Sequence, residues 1–300
     1  MSDVLTYSDL ESWSRESPSL AVLGHPIGHS LSPVMHNAAL AALAGDDARW
    51  ADWRYFRFDI LPEDLPRALS LLHAKRFRGV NLTVPHKVLA FDQVAEVDDD
   101  ARPVGAVNTL LWTPGGWRGF NTDGYGLSAA LRASLGLDLS GLAVLLLGAG
   151  GAARGAAIEC LQRGCASLDI VNRSRTNLEA LIEHLRPLAG TIPIHARPAA
   201  ASAVKGALVI NATSAGLREN DAVPIDLASL SQTIGIYDMI YNPPRTALLR
   251  QAESLGLPHA NGLSMLVHQG AKSLEIWTGV PAARTAPIMQ AAAEAAAGRP

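Results

Sequence analysis

The segment 141–162, GLAVLLLGAGGAARGAAIECLQ, constrains the fold more than any other stretch of the chain. The apolar run from Leu142 to Leu147 predicts a buried strand, and Gly148-x-Gly150-x-x-Ala153 then opens a helical segment. In such a unit the first glycine allows a tight turn, the second lets the backbone approach a pyrophosphate, and a small third residue permits close helix packing. A plain tight turn is the alternative. We predict a dinucleotide site formed by Gly148, Ala149, Gly150, Gly151, Ala152 and Ala153.

The end of the next predicted strand indicates which dinucleotide is bound. An acidic residue there usually binds the ribose 2′-OH of NAD, whereas arginine accommodates the 2′-phosphate of NADP. Here the chain has Asn172, Arg173, Ser174 and Arg175, and no acid. Guanidinium groups suit a dianionic phosphate, so NADP(H) is the predicted cofactor. The alternative is that these arginines only cover the first turn of a helix.

Alternating apolar and amphipathic segments indicate an α/β fold in two parts. From 20 to about 112, strands alternate with helices, and LLWTPGGWRGFN predicts a hairpin. A second series begins at Leu142, while the last forty or so residues predict helices that return to the first part. We therefore predict a substrate-binding catalytic domain over 1–122 and 263–300, and a Rossmann NADP-binding domain over 123–262. A cleft beside the two crossovers would be the natural ligand site.

Composition argues for a small-molecule partner. The chain of 300 residues has 48% hydrophobic content, 18% charged residues and a formal net charge of −3, which provides no basic field for nucleic acid or an anionic membrane. The N-terminus lacks the pattern of a signal peptide, so cytoplasm is expected. Cys160 and Cys165 predict buried thiols in a reducing compartment. His25, His29 and His36 have no metal-ligand spacing, and no metal is predicted.

Two hydroxyl side chains precede the first predicted helix. Ser30 and Ser32 lie one residue apart, just before Pro33. Hydroxyls and backbone donors at a helix start can hold a carboxylate. Capping of the helix by Ser32 is the alternative.

Further polar clusters follow the strands of the first part. Asn81 and Thr83, two apart on a predicted strand, face the same way and suggest ligands for a polyol. Lys87 follows them, and Asn108 and Asp123 lie in two further clusters. Lys87 and Asp123 offer a proton-transfer pair for an alcohol or ketone while hydride moves to or from a nicotinamide. The alternative for Asp123 is an N-cap of the following helix.

Together these motifs carry a resemblance to the shikimate dehydrogenase family, in order over residues 21 to about 272. The matching segments are GHPIGHSLSPVMHN, GVNLTVPHK, GAVNTL, GFNTDGYG, LLGAGGAARG, VNRSR, INATSAG, YNPPRTALL and NGLSMLVHQGA. The resemblance implies two α/β domains and the NADPH-dependent reduction of 3-dehydroshikimate to shikimate, in chorismate and aromatic amino-acid biosynthesis. It leaves the oligomeric state open, with a homodimer as one option.

The resemblance also implies roles for single residues. Ser30 and Ser32 would bind the substrate carboxylate with Tyr241 nearby, and Lys87 with Asp123 would be the catalytic pair. The groups that would bind the ring hydroxyls are Thr83, Lys87, Asn108, Asp123 and Gln269. The groups that would contact the cofactor, besides the glycine turn, are Asn172, Arg173, Ser174, Arg175, Thr213, Met239 and Gly262.

Two positions depart from the family pattern. Asn177 stands where a second basic residue is frequent, which weakens the preference for NADP over NAD, and Ser264 replaces a common glycine. Three alternatives remain: a quinate or dual quinate/shikimate dehydrogenase, a non-catalytic sensor of a shikimate-like ligand, and a methylene-tetrahydrofolate-type dehydrogenase. Retention of Lys87 and Asp123 argues against the sensor, and the Ser-x-Ser pair argues against the other two.

Overall fold

The structure, a computed structural model, describes residues 4–197, 206–218, 220–230 and 232–298. It divides into two compact units, unit 1 comprising 1–122 with 269–300 and unit 2 comprising 123–268. The boundaries between the units fall at 122/123 and 268/269; the predicted domain bounds, 122/123 and 262/263, stay a prediction. The catalytic and cofactor-binding roles of the two domains stay predictions at this point.

Unit 1 contains a mixed sheet with the strand order β1-β3-β2-β4-β6-β7-β5. Its strands are β1 Leu5–Thr6, β2 Ser19–Gly24, β3 Arg54–Asp59, β4 Gly79–Leu82, β5 Glu96–Val97, β6 Thr109–Thr113 and β7 Gly116–Phe120. Its helices before residue 123 are α1 Tyr7–Glu11, α2 Ser32–Asp46, α3 Leu65–Ala74 and α4 His86–Leu89. The predicted hairpin is confirmed, because β6 and β7 pair antiparallel around the Pro-Gly-Gly turn.

The burial pattern explains why the central strands form. Every residue of β2 and β4 is buried, as expected of interior strands that are covered on both faces. One core cluster of unit 1 gathers Leu23, Phe58, Leu72, Phe77 and Val80, all at most 3% exposed. Burying each such side chain stabilises the fold by roughly 1.5–3 kcal/mol.

Unit 2 contains a fully parallel sheet with the order β10-β9-β8-β11-β12-β13. Its strands are β8 Ala143–Leu147, β9 Ser167–Val171, β10 Ile194–Arg197, β11 Leu208–Asn211, β12 Gly235–Asp238 and β13 His259–Asn261. Its helices are α5 Asp123–Leu135, α6 Gly151–Gln162, α7 Arg175–Leu185 and α8 Ala247–Ser254. The strand-turn-helix unit predicted at 141–162 is thus β8, its turn and α6. Cys160 and Cys165 are both buried in this unit as free thiols, as predicted.

Two helices close the chain. α9 spans Leu263–Thr278, and α10 spans Ala282–Ala297. α10 packs along α2, and Arg284 near the start of α10 pairs with Asp46 at the end of α2. The predicted return of the C-terminus to the first part is therefore confirmed. Among the residues that the structure describes, no helix is both long enough and apolar enough to span a lipid bilayer.

Candidate active site

Strand directions bring the polar clusters of unit 1 to one edge of its sheet. β2 and β4 run parallel, so the segments after Gly24 and after Leu82 leave at the same edge. β6 runs antiparallel to β4, and β7 antiparallel to β6, which places the start of β6 and the end of β7 at that edge too. The clusters around Ser30, Lys87, Asn108 and Thr122 therefore share one side of the unit.

Asn108 is the centre of a buried hydrogen-bond network at this edge. It is 1% exposed, and its Oδ1 accepts from the Thr122 backbone N–H at 2.9 Å and from Thr109 Oγ1 at 2.9 Å. Its Nδ2 donates to Gln269 Oε1 at 3.3 Å. Two predicted hydroxyl ligands, Asn108 and Gln269, are therefore brought together although they are far apart in sequence.

Asn81, predicted as a polyol ligand, is held by protein partners in this structure. Its Oδ1 accepts from the Tyr55 hydroxyl at 2.8 Å, and its Nδ2 donates to the Asn108 carbonyl, Thr109 Oγ1 and Ser273 Oγ at 3.0–3.1 Å. Every polar group of this side chain has a protein partner, as a buried amide requires. Asn81 thus fixes the backbone that carries Asn108.

Thr83 was predicted on the same strand as Asn81 but lies just beyond the end of β4. β4 ends at Leu82, because Pro85 prevents further pairing, so Thr83 does not share a strand face with Asn81. Thr83 stays half-buried, and its methyl group packs against Gly24, where an added Cβ would lie 2.5 Å from Thr83 Cγ2. Its backbone N–H donates to the Leu23 carbonyl at 2.9 Å, which holds the residue at the sheet edge.

The Ser30–Ser32 loop enters α2 without a side-chain cap. The N-cap is Leu31, and Ser32 is the first helical residue, so capping by Ser32 is wrong. The Ser32 backbone N–H donates to Ser30 Oγ at 3.3 Å, and its buried hydroxyl is hydrogen-bonded to Tyr55. The Ser30 hydroxyl thus lies beside the start of α2, where backbone N–H groups suit a carboxylate.

Lys87 belongs to the single-turn helix α4. Its backbone carbonyl accepts from the Val107 N–H at 2.9 Å, so the segment bearing the amine is tied to the residue before Asn108. His86, left without a role by the sequence, is fully buried, and its Nε2 lies 2.8 Å from the Ile60 carbonyl. Burial lowers the pKa of His86, so its neutral ring anchors α4 against the segment after β3.

Asp123 begins α5 in unit 2. It is the first helical residue rather than the residue before the helix, so it lies in the first turn, where a carboxylate is favoured by the helix dipole. The neighbouring Gly124 faces the buried Glu159 of α6, and an added Cβ would lie 2.5 Å from Glu159 Oε2. Glu159 also accepts from Ser128, which fastens α5 to α6 directly behind Asp123.

The glycine turn of unit 2 has the geometry that its sequence predicts. Gly148 has φ +115°, and an added Cβ would lie 3.0 Å from the Ala212 carbonyl. Both the backbone conformation and this close approach disfavour a side chain at the position. A Cβ on Gly150 or Gly151 would meet nothing within 4 Å, which leaves open space in front of the first turn of α6. Ala153 is fully buried against the sheet. These features fit a pyrophosphate at the helix N-terminus.

The segment after β9 lies at the same edge of the unit 2 sheet as the glycine turn, because β8 and β9 run parallel. Asn172 Nδ2 donates to the Ser174 carbonyl at 2.8 Å, and Ser174 caps α7 by accepting from the Asn177 N–H. Arg173 is exposed. Arg175 pairs with Glu179 at 2.7 Å along the helix, so part of its guanidinium is already engaged.

The remaining predicted cofactor residues follow the ends of β11, β12 and β13. Thr213 Oγ1 donates to Asn211 Oδ1 at 2.7 Å. Gly262 packs on Met239, since an added Cβ would lie 2.1 Å from the Met239 carbonyl. Tyr241 is half-buried, and burial raises the pKa of its hydroxyl, which therefore stays a neutral donor.

The sequence did not point to a fully buried acid at the carboxyl ends of the strands of unit 2. Asp238, the last residue of β12, accepts from Asn211 Nδ2 at 2.9 Å and from Thr246 Oγ1 at 2.6 Å. An aspartate ending an apolar run and followed by a loop with a threonine was the available signal. Within the described ranges, no group of three or more His, Cys, Asp or Glu side chains is placed to hold a metal ion.

Comparison with known proteins matches both ends of the chain to one family. Residues 22–110 match the model described as shikimate dehydrogenase substrate binding domain, and residues 262–293 match the shikimate 5′-dehydrogenase C-terminal domain. A curated relative, shikimate dehydrogenase (NADP(+)) of Citrifermentans bemidjiense, is 42% identical over 264 residues, which cover 86% of this chain and 89% of the relative.

Solved structures agree with this match. The shikimate 5-dehydrogenase of Thermus thermophilus, in complex with NADP(H) and shikimate, is 37% identical with a TM-score of 0.81, covering 93% of this chain and 99% of the other. The ligand-free 5-ketofructose reductase of a Gluconobacter species is 32% identical with a TM-score of 0.80, covering 92% and 98%. The predicted α/β fold, with a substrate domain and a Rossmann domain, is confirmed.

Proposed function

The chain belongs to the shikimate dehydrogenase family, a family of oxidoreductases, and from this premise we propose that it catalyses the NADPH-dependent reduction of 3-dehydroshikimate to shikimate. The observation that carries the proposal is the buried network around Asn108, which aligns amide and hydroxyl groups at one sheet edge of unit 1. A polyhydroxylated ring needs such groups in fixed positions.

The carboxylate end of the substrate is assigned to the Ser30–Ser32 loop. Two hydroxyls beside the start of α2 provide hydrogen-bond donors without a full positive charge. Tyr241 contributes a neutral phenol to the same end. A substrate without a carboxylate, such as 5-ketofructose, would leave the two serines without this partner.

The ring hydroxyls are assigned to the Asn108 side of the edge. Asn108 and Gln269 present one amide each, and Thr83 and Lys87 come from the segment after β4. The Asn108 side chain is fixed by Thr122 and Thr109, so the substrate meets a preorganised donor and acceptor set.

Lys87 and Asp123 act as the proton-transfer pair. When bound, NADPH would supply the hydride for the ketone carbon. As negative charge develops on the ketone oxygen, the Lys87 ammonium stabilises it and donates a proton there. Asp123 accepts a hydrogen bond from the neighbouring substrate hydroxyl and holds the ring for this transfer.

The cofactor assignment follows the residues of unit 2. The first turn of α6 would bind the pyrophosphate, and Thr213 lies beside Gly148 at the same turn. Met239 and Gly262, which pack on each other, would flank the nicotinamide. Arg173 binds the 2′-phosphate together with Asn172 and Ser174. Arg175 shares its guanidinium with Glu179, so its contribution to the phosphate is the smaller one.

A steady-state assay tests substrate and cofactor together. Purified protein is assayed with shikimate and quinate, each with NADP+ and NAD+, in the oxidative direction. We expect the highest kcat/KM for shikimate with NADP+. A higher value for quinate with NAD+ would identify the quinate branch instead, and no turnover with shikimate would refute the proposal.

The cell compartment and the lack of a nucleic-acid partner are further proposals, made from the sequence. A net charge of −3 gives nucleic acid nothing to bind electrostatically, and a biosynthetic reductase of this kind is expected in the cytoplasm. A homodimer is the assembly to test, by light scattering with NADP+ and without it.

A further inference from the structure

Asp238 is a buried acid that the proposed chemistry does not use. Its relative exposure is 0%, and three donors converge on it. Oδ1 accepts from Asn211 Nδ2 at 2.9 Å and from the Ile240 backbone N–H at 3.1 Å, while Oδ2 accepts from Thr246 Oγ1 at 2.6 Å. Only a group with acceptors at both positions satisfies all three donors, and a carboxylate is such a group.

Two of the three donors enclose one loop. Ile240 begins the segment that leaves β12, and Thr246 ends it as the N-cap of α8. Between them the chain carries Tyr241, and Met239 directly precedes Ile240. The carboxylate thus ties both ends of the loop 239–246 to the end of its own strand.

The third donor reaches a second loop. Asn211 ends β11, and its Oδ1 accepts from the Thr213 backbone N–H at 3.1 Å and from the Thr213 hydroxyl at 2.7 Å. Thr213 in turn lies beside Gly148, where an added Cβ would be 3.2 Å from Thr213 Cγ2. A chain of direct contacts therefore runs from Asp238 to the glycine turn.

The cost of keeping this acid argues for a role beyond packing. Burial raises the pKa of Asp238, which the hydrogen bonds from Thr246, Ile240 and Asn211 only partly offset. A buried carboxylate is expensive unless its hydrogen bonds are complete, and an apolar pair is often as stable. What the acid provides is a fixed spacing between the loops that follow β11 and β12.

We propose that Asp238 is a positioning residue of the cofactor site: by holding Asn211, Ile240 and Thr246, it sets the loops at 211–216 and 239–246 in register with the glycine turn. The inference rests on the proposed function, because it assumes that these loops contact NADPH. It predicts that the buried hydroxyl of Thr246, which donates to Asp238, is needed for cofactor affinity.

Thr246 allows a matched test. Thr246→Val removes the hydroxyl with little change in shape, Thr246→Ser keeps it, and Leu249→Val perturbs the packing of α8 without touching Asp238. NADPH dissociation constants are measured directly by fluorescence titration of each purified variant. Thermal unfolding with and without NADPH is recorded on the same samples.

We expect Thr246→Val to weaken NADPH binding about ten-fold, because the Thr246 hydroxyl donates to Asp238 and also accepts from the Leu249 N–H as the cap of α8. Thr246→Ser keeps both hydrogen bonds and should stay within about two-fold of the original protein. Leu249→Val should lower the unfolding temperature but bind NADPH as before. Equal affinity of Thr246→Val and the original protein would overturn the inference and leave the proposed function standing. An equal loss in Leu249→Val would also overturn it, because the effect would then be general destabilisation. Absence of NADPH binding by the original protein would overturn both.

Discussion

Tyr55 and His36 stack face to face, with ring centroids 4.1 Å apart and ring planes 1° apart. His36 is fully buried, and neither ring nitrogen has a hydrogen-bond partner among the described residues. Burial lowers the pKa of His36 to about 3, so the imidazole is neutral and serves as a flat surface. The stack fixes the Tyr55 hydroxyl, which donates to Asn81 and contacts Ser32.

The stack predicts a pH dependence of stability. The folded-state pKa of His36 lies below the ordinary value of about 6.5. Between these two pKa values the unfolded chain binds a proton at this residue and the folded protein does not, so the folded state loses stability as pH falls. The free energy of unfolding should fall by about 1.4 kcal/mol for each pH unit between pH 6.5 and 3 from this residue alone. Urea titrations of the protein and of His36→Leu between about pH 4.5 and 7.5 measure it.

In His36→Leu, the free energy of unfolding should lack the contribution of His36 to the pH dependence. The difference in free energy of unfolding between the variant and the original protein should therefore shift in favour of the variant as pH falls. His86 and His268, whose pKa values are also lowered by burial, contribute equally to both proteins and cancel in the comparison. Two curves that stay parallel across the range would contradict the assignment to His36.

Lys87→Ala should lower kcat far more than it changes KM. An ammonium that acts mainly in the transition state contributes to the chemical step rather than to ground-state binding, and general-acid groups account for roughly 10²–10⁴-fold in rate. Lys75→Ala is the control, because the Lys75 amine donates to the Glu11 and Trp13 carbonyls and has no part in the site. An unchanged kcat for Lys87→Ala would refute the catalytic role.

Arg173→Ala should separate the two nicotinamide cofactors. Loss of a charge-assisted hydrogen bond to the 2′-phosphate is expected to raise the KM for NADPH about ten-fold and to leave that for NADH nearly unchanged. Arg186→Ala, which removes a surface pair with Glu183 in the same unit, serves as control. Equal losses with both cofactors would argue that Arg173 supports the fold rather than the phosphate.

Gly148→Ala and Gly155→Ala should change stability in opposite directions. Gly148 has φ +115° and faces the Ala212 carbonyl, so alanine is strained there and should destabilise unit 2 by about 1–3 kcal/mol. Gly155 lies inside α6 with nothing within 4 Å of an added Cβ, and alanine there should stabilise by about 0.5–1 kcal/mol. Chemical denaturation of both variants measures the difference, and a shared sign would contradict the strain argument.

Sequence patterns located the site because its polar residues follow apolar strands. The sequence assigned each of Ser30, Lys87 and Asn108 to the end or start of a strand. The parallel pairing of β2 with β4 and the antiparallel pairing of β4 with β6 then bring these residues to one edge of the sheet. Four edge strands, β1, β5, β10 and β13, were missed, since strands of two to four residues with polar members leave no clear alternation.

Partners distant in sequence could not be predicted. Asn81 was interpreted as a ligand because a buried amide needs partners, yet one of them, Ser273, lies 192 residues further along the chain. Asp238 was missed for the same reason, because its donors come from a neighbouring strand and the start of α8. Burial demands that such groups be satisfied, but only the fold says by which residues.

The reactivity of two buried cysteines, Cys160 and Cys165, can report the unfolding of unit 2. Cys160 and Cys165 are 0% and 2% exposed, and burial raises the pKa of Cys165 to about 11 and that of Cys160 well above its usual range. Thiol reagents attack the thiolate, so neither side chain should react while the unit stays closed. No other cysteine occurs in the chain, so the rate of labelling measures how often this half of the molecule opens.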